Sequence, residues 1–236
     1  MKLPISKRLL CCAELVPACG VVADVGTDHG YLAIHLLQTG KCRRAIAADL
    51  REKPLESAKA NAASFGAADR MSFVQTDGLH DVKPGSFDVL VLAGMGGDLI
   101  ARILADAPWL DGGNYALILQ PQSAANELRR WLGERGWSVD RERLVRDGGF
   151  LYAVMAVRPE GGRALTPGEQ YVSPALRREN DPLYPDYLAR MRRALELTVE
   201  GISRSEDPAD RERAKYYKQA LEEVQSLPPG GKALPL

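Results

Sequence analysis

The stretch "VVADVGTDHGYLAIHLL", residues 21–37, decides the fold. Its apolar, β-type first half ends at Asp24 and Val25, and Gly26 opens a turn. Tyr31, Leu32, Ile34, His35 and Leu36 then follow helical spacing as far as Gly40. A buried strand, a glycine turn and a helix in immediate succession form a βα unit, the building block of a parallel sheet. The turn reads Gly26-Thr27-Asp28-His29-Gly30, a GxxxG that carries Asp28 and His29 where nucleotide-binding loops carry more glycine. A ligand that wants a tight turn at a strand end must here also tolerate a carboxylate.

The same alternation recurs downstream. Strand-like runs fall at 20–25, 44–49, 71–76, 87–93 and 115–120, with helical stretches at 29–38, 53–65, 97–105 and 123–136 between and after them. Two further β-type runs within 137–158 flank Asp147-Gly148-Gly149, a hairpin signal. The fold class expected is α/β: a doubly wound, mainly parallel Rossmann-like sheet of seven strands. An amphipathic helix over 5–15 precedes it. A segment rich in Gly and Pro, 159–170, marks a boundary between a first domain, 1–160, and a small all-α domain, 161–236. In the second, Leu188, Met191, Leu195, Thr198 and Ile202, then Ala214, Tyr217, Leu221 and Val224, recur at three- and four-residue steps. With Asp207-Pro208 as N-cap and first helical residue, this predicts an antiparallel helical hairpin with a coiled-coil-like seam. The tail, 228–236, reads as frayed.

Composition excludes several classes. Lys+Arg and Asp+Glu balance at 31 each in 236 residues, so a nucleic-acid contact has to be a local face. Cys11, Cys12, Cys19 and Cys42 contain no CxxC pair and only three histidines accompany them, which argues against a metal site and for inert thiols. No run approaches the ~20 apolar residues of a membrane span, and Glu14 and Pro17 spoil a signal-peptide reading of the N-terminus. A cytoplasmic protein without metal or membrane association is expected, as a monomer.

Open α/β sheets bind ligands outside the carboxyl ends of their strands, where strand order reverses. A pyrophosphate there wants backbone N–H groups and no anion. Asp28 at ~4 Å, with an effective dielectric near 20, would cost about 4 kcal/mol, so NAD and FAD fit poorly. S-adenosyl-L-methionine reverses the sign, because it has no phosphate and carries a sulfonium and an ammonium. Asp24 or Asp28 can then face positive charge. Asp49 ends the second strand about 20 residues beyond the turn, where a carboxylate takes the ribose hydroxyls. "TDGL", with Asp77, Gly78 and Leu79, follows the third strand on the adenine side. Ala93, Gly94, Met95, Gly96 and Gly97 close the fourth strand; such glycines suit a backbone approached by a flat ligand, or a plain turn before a helix capped by Asp98. The Asn/Asp-Pro-Pro-aromatic motif that grips an exocyclic NH2 is absent, which disfavours methylation of an exocyclic amine.

At "DVGTDHGYL", "AGMGGDLIARIL" and "LILQPQSAANELRRWL", in that order, the chain resembles the bacterial TrmK family, from "SKRL" near the start through "LYAVM" and more loosely along the tail. The resemblance implies a methyltransferase domain whose last strand runs antiparallel, a C-terminal helical domain, and methylation of N1 of adenine 22 in tRNA by S-adenosyl-L-methionine. It further implies that Asp24, Gly26, Thr27, Asp28, His29, Gly30 and Tyr31 hold the methionine end of the donor. Asp49 and Leu50 would take the ribose, and Asp77, Gly78 and Leu79 the adenine. Ala93, Gly94, Met95, Gly96 and Gly97 would form the crevice wall, with Gln120, Pro121 and Gln122 where the target base enters. Ala33, Gln122 and Ser173 stand where family members have Pro, Asn and Gly.

Adenine N1 already carries an in-plane lone pair, so attack needs no base. The enzyme has to align nucleophile, methyl and sulfur and stabilise charge moving onto the ring. Asp28 is the expected catalytic carboxylate; the other reading makes it a first-turn cap or a ligand of the donor amine. His29 reads as a loop-packing residue. The base must be unpaired, and Tyr31, Phe150 or Tyr152 could stack on it, the last two also suiting a core. Arg129, Arg130, Arg135, Arg141, Arg143 and Arg146, then Arg177, Arg178, Arg190, Arg192 and Arg193, offer either phosphate contacts, with Arg129 the first choice, or a salt-bridged face. Rival functions are a methyltransferase of another RNA position or small molecule, and an idle donor-binding module.

Overall fold

The computed structural model describes residues 3–204 and 208–230, the latter with side chains from 213 onward. Helix α1, Lys7–Leu15, begins at Ser6, whose hydroxyl accepts the Leu9 N–H. Then β1 (Cys19–Val25), α2 (Tyr31–Gln38), β2 (Cys42–Asp49), α3 (Glu52–Ser64), β3 (Met71–Gln75), β4 (Val89–Gly96), α4 (Gly97–Ala105), β5 (Ala116–Ser123) and α5 (Ala125–Glu134) alternate as expected. The hairpin follows as β6 (Trp137–Asp147) and β7 (Phe150–Gly161). The seven strands are ordered β3-β2-β1-β4-β5-β7-β6, and only β7 runs against its neighbours. Sequence order reverses between β1 and β4, which makes the ends of these two strands the switch point.

Successive strand residues face opposite sides, and both sides are dry. Val22, Val89, Val91, Ile118 and Val154 pack with Cys12 of α1 and Leu32, Ile34 and Leu36 of α2. Ala23, Leu90, Leu92, Leu117, Leu119 and Met155 face the other way, against Ile100 and Leu104 of α4 and Leu128 and Leu132 of α5. The four cysteines are free; burial pushes the Cys11 thiol up to about 11 and Cys42 to about 12, which keeps both protonated.

Two strands run past their expected ends. In β4 the register slips at Gly94, whose φ is +84°, and pairing resumes with Met95 opposite Pro121 and Gly96 opposite Ser123. The bulge accommodates a proline that has no ladder N–H to give, so β5 continues to Ser123 instead of stopping at Gln120.

Beyond Gly161 the chain is helical. The Gly/Pro-rich segment 159–170, expected to be only a boundary, contains the end of β7 and most of a short helix, α6 (Pro167–Tyr171), and a second short helix, α7 (Pro174–Arg178), follows it. Thr166 and Glu169 form a capping box, and Ser173 caps Leu176. The two long helices follow as α8 (Tyr184–Ser203) and α9 (Pro208–Ser226). They share a core with the sheet: Tyr184, Tyr187, Leu188, Leu195, Ala220 and Val224 belong to the same buried cluster as Leu117 and Met155. The N-cap read at Asp207 and the end of the tail lie outside the described residues. Among those described, no helix is long and apolar enough to cross a membrane.

Candidate active site at the switch point

The turn after β1 is held from beneath. The N–H groups of Gly26 and Thr27 both donate to the Ala48 carbonyl, at 2.8 and 3.0 Å, and Asn61 Nδ2 donates to the His29 carbonyl at 2.9 Å. Gly26 has a φ of +79°, and a Cβ there would lie 2.1 Å from Met95 Cε. The left-handed backbone here favours glycine. Asp24, last but one in β1, is buried, and the Thr27 hydroxyl donates to its Oδ2 at 2.8 Å. Burial pushes the Asp24 carboxyl up to about 6 against the pull of Thr27 and Arg8.

Around this turn lies a crevice in two joined parts. One, ≈ 260 Å³, is lined by Asp24, Thr27, Asp28, His29, Gly30 and Tyr31. The other, ≈ 430 Å³, is lined by Asp49, Leu50, Asp77, Gly78, Met95 and Ile103. Arg8, Gly26, Asp28 and Ala93 border both. Asp49 is buried and its Oδ1 accepts the Arg51 N–H at 2.8 Å, while Asp77 is exposed. Leu50, 60 % exposed, is one of the few large apolar side chains left in solvent. With Met95, Leu99 and Ile103 it gives this part an apolar wall suited to a flat ring. One part of the crevice therefore sets Asp24 and Asp28 against Arg8, and the other combines Asp49 and Asp77 with Arg51, Arg102 and an apolar slot. A nucleoside carrying positive charge fits both ends, and the residues present suit S-adenosyl-L-methionine.

Asp28 borders both parts, with its side chain 72 % exposed and Oδ2 3.3 Å from His29 Nε2; the His29 ring stacks on Tyr31 at 5.4 Å. Three expectations on the donor side need correction. Leu79 is buried in the core cluster and cannot reach a ligand. Gly96 and Gly97 are packing glycines: a Cβ on Gly97 would stand 2.4 Å from the Ala124 carbonyl oxygen, and one on Gly96 would meet Ser123. Only Gly94 of the three faces the crevice.

On the acceptor side the correction is larger. Arg129 is fully buried and ion-paired with Glu142, and it also donates to the Gln170 carbonyl and the Tyr187 hydroxyl. No phosphate can reach it. Gln120 is buried as well; its Oε1 accepts the Gly94 N–H at 3.1 Å and an Arg8 N–H, while its Nε2 donates to the Pro121 carbonyl. It holds the β4 bulge instead of offering its amide outward, and Pro121 beside it is buried too. Gln122 is exposed and lines a ≈ 240 Å³ cleft with Asn126, Tyr152, Arg190 and Met191, between the end of β5 and α8. Phe150 is 64 % exposed at the hairpin tip, its ring 6.2 Å from Tyr152, so it is no core residue. Of the surface arginines, Arg130, Arg135, Arg141, Arg143, Arg146 and Arg193 follow the salt-bridged reading, each pairing with a carboxylate, whereas Arg178, Arg190 and Arg192 donate to backbone carbonyls instead.

Sequence reasoning missed Arg8. Its only signal was the "SKRL" of the family resemblance, since nothing local says that a helix before β1 reaches the far ends of β4 and β5.

Comparison with known proteins gives a consistent picture. Residues 5–155 match the family described as methyltransferase domain. The tRNA (adenine(22)-N(1))-methyltransferase of Bacillus subtilis is 32 % identical over 232 residues, 96 % of either chain. The crystal structure of the B. subtilis m1A22 tRNA methyltransferase TrmK superposes with a TM-score of 0.84 at 29 % identity, covering 95 % of this chain and 98 % of that one. Streptococcus pneumoniae Sp1610, in complex with S-adenosyl-L-methionine, gives 0.75 at 31 % identity over 92 % and 99 %. With the match spanning the helical tail as well as the sheet, the chain belongs to the methyltransferase-domain family and, within it, to the bacterial TrmK family of tRNA (adenine(22)-N(1))-methyltransferases.

Proposed function

We propose that this chain transfers a methyl group from S-adenosyl-L-methionine to N1 of adenine 22 in tRNA, as a monomer in the cytoplasm. One observation carries the reading: at the switch point a buried carboxylate, Asp24, stands behind a glycine turn that leads into a crevice with further carboxylates and an apolar slot. The B. subtilis relative that matches along the whole chain is a tRNA (adenine(22)-N(1))-methyltransferase, and the S. pneumoniae neighbour is held in complex with this donor.

The donor supplies an electrophilic methyl on a positively charged sulfur. Asp24, fixed by Thr27, and Asp28 receive the positive end of its amino acid; Asp49 takes the ribose hydroxyls; Asp77 and the Leu50–Met95–Ile103 slot take the adenine. The incoming base brings its own lone pair, so the protein has only to orient and to neutralise. Asp28, exposed at the seam of the two crevice parts, faces the ring that becomes cationic and lowers the energy of that charge. Gln122 and Tyr152 in the adjoining cleft hold the unpaired nucleotide. His29, beside Asp28 and stacked on Tyr31, is not required as a base, because the nucleophile loses no proton before attack.

Incubating the protein with donor and an unmodified tRNA transcript, then mapping reverse-transcription stops, tests the proposal. A stop at adenine 22 that disappears when guanine replaces it is expected; full read-through, or stops elsewhere, would overturn the assignment.

A further inference from the structure

Of the four phenylalanines, Phe150 alone is exposed, with 64 % of its surface in solvent. It follows the Gly148-Gly149 turn, in which both residues have positive φ, as a tight two-residue hairpin requires. Three contacts hold this tip in place. The Asp147 carboxylate accepts the Arg8 N–H of α1 at 3.3 Å, Arg146 pairs with Asp186 of α8 at 2.7 Å, and Arg190 of α8 donates to the Leu151 carbonyl at 2.9 Å. The Phe150 ring lies 6.2 Å from that of Tyr152, two residues along the same face of β7. An apolar ring is thus held in water by a backbone tied to a helix on either side. A group fixed in this way has little freedom left to lose on binding.

Its neighbours say what the ring can meet. Arg8, held by Asp147, borders both parts of the donor crevice, and Tyr152 lines the cleft beside Gln122, but Phe150 lines neither. It stands at the rim, outside the place where a base would sit. Adenine N1 lies on the pairing edge, so the target nucleotide has to leave its stack to be methylated, and its departure opens a gap one base deep between its neighbours. An apolar side chain inserted into such a gap restores stacking that the departure removes. We propose that Phe150 is a wedge that fills the place vacated by the target adenine in the tRNA, while Tyr152 and Gln122 hold the adenine itself. The inference rests on the tRNA reading above and deepens it: the hairpin tip keeps the base out, and the cleft receives it.

Binding of three tRNA transcripts in the presence of S-adenosyl-L-homocysteine tests it, with wild type, Phe150→Ala and Phe150→Leu as full chains. One transcript is intact, the second has an abasic site at position 22, and the third has abasic sites at both neighbours of adenine 22. Phe150→Ala should weaken binding of the first two about fivefold to tenfold, the lower range for a stack of one aromatic ring on a base. On the third, where the wedge has no bases to lie between, the loss should stay below about twofold. Phe150→Leu should keep most of the wild-type affinity, since an aliphatic wedge also fills the gap. Because the readout is a ratio between transcripts, partial unfolding of a variant does not imitate it. A loss on the intact transcript that vanishes with the abasic site at position 22 would place the ring on the target base and overturn the proposal. Equal losses on all three, or none on any, would overturn it as well, leaving the ring a general contact or a surface for a protein partner. Should the wild type with S-adenosyl-L-methionine leave adenine 22 of the intact transcript unmethylated, the tRNA reading falls, and the proposal with it.

Discussion

Replacing Asp24 by asparagine should stabilise the protein while disabling it. The carboxyl, ordinarily near 3.8, is held at about 6 because it is buried, with Asp49 adding to the rise and Thr27 and Arg8 opposing it. That difference corresponds to about 3 kcal/mol. The sign follows from linkage: the folded state binds the proton more tightly than the unfolded state, so the protonated carboxyl favours folding. This contribution is complete below pH 3.8 and is lost as pH rises through 6, where the chain carries a buried charge. Asparagine keeps an oxygen for the Thr27 hydroxyl and never ionises. Relative to wild type, Asp24→Asn should therefore gain about 1 kcal/mol at pH 4.5 and about 3 kcal/mol at pH 8, less any cost of the amide common to both. Urea denaturation at the two pH values measures the gap, and its growth by about 2 kcal/mol is the diagnostic quantity. Calorimetry should show the donor bound more than about tenfold more weakly by the variant, because a cationic ligand loses its buried counter-charge. In the wild type, donor affinity should fall as pH drops below about 6, with protons released on binding. A gap that does not change with pH, or a variant less stable at pH 8, would refute the account of Asp24.

Three further outcomes follow from the same geometry. Gly26→Ala forces a side chain onto a φ of +79° and into Met95; donor binding should be abolished, and titration with S-adenosyl-L-homocysteine checks it. Glu142→Gln leaves Arg129 charged and unpaired in the core, at a cost of about 3–5 kcal/mol, whereas Arg129→Met with Glu142→Leu should recover most of it; urea denaturation compares the two, and the salt dependence of tRNA binding should be unchanged because Arg129 neutralises no phosphate. Phe150→Ala removes an exposed ring beside Tyr152; unfolding should shift by less than about 0.5 kcal/mol, while KM for tRNA rises several-fold and donor affinity holds.

What could be read in advance was what strand periodicity and glycine chemistry encode locally. The βα alternation, the hairpin at Gly148-Gly149 and the tight turn at Gly26 are each set within a short stretch of chain, where residue type and conformation are tied together. Contacts between distant elements were not legible. "LILQPQS" read as a strand ending at Gln120, because proline breaks a ladder; only the bulge at Gly94 on the neighbouring strand lets pairing continue. Arg129 sits in "NELRRWL", where nothing separates it from Arg130, yet one faces the core and the other solvent. The capping box at Thr166 and Glu169 was written in the sequence, and a Gly/Pro-rich composition hid it. Phe150 and Leu50 carry no local sign that they stay exposed, since exposure of an apolar residue is a property of what fails to cover it.

The buried polar knot explains how the helical tail can serve a site on the sheet. Arg129 comes from α5, Glu142 from β6, Ser173 from the cap of α7 and Tyr187 from α8, and all four meet through hydrogen bonds. Apolar contacts alone tolerate sliding, as the shared core of Leu195, Val224 and the sheet residues would. An ion pair taken out of water does not, because any displacement leaves a charge unsatisfied at a cost of several kcal/mol. The knot therefore fixes where α8 stands relative to the end of β5, and these two elements are the walls of the cleft that holds Gln122, Tyr152 and Arg190. On the proposed function, a base presented there would meet a surface already in place. Positioning is what a reaction without a proton to remove chiefly requires. Burying Arg129 thus fixes α8 against the end of β5, the geometry on which the proposed base-binding cleft depends.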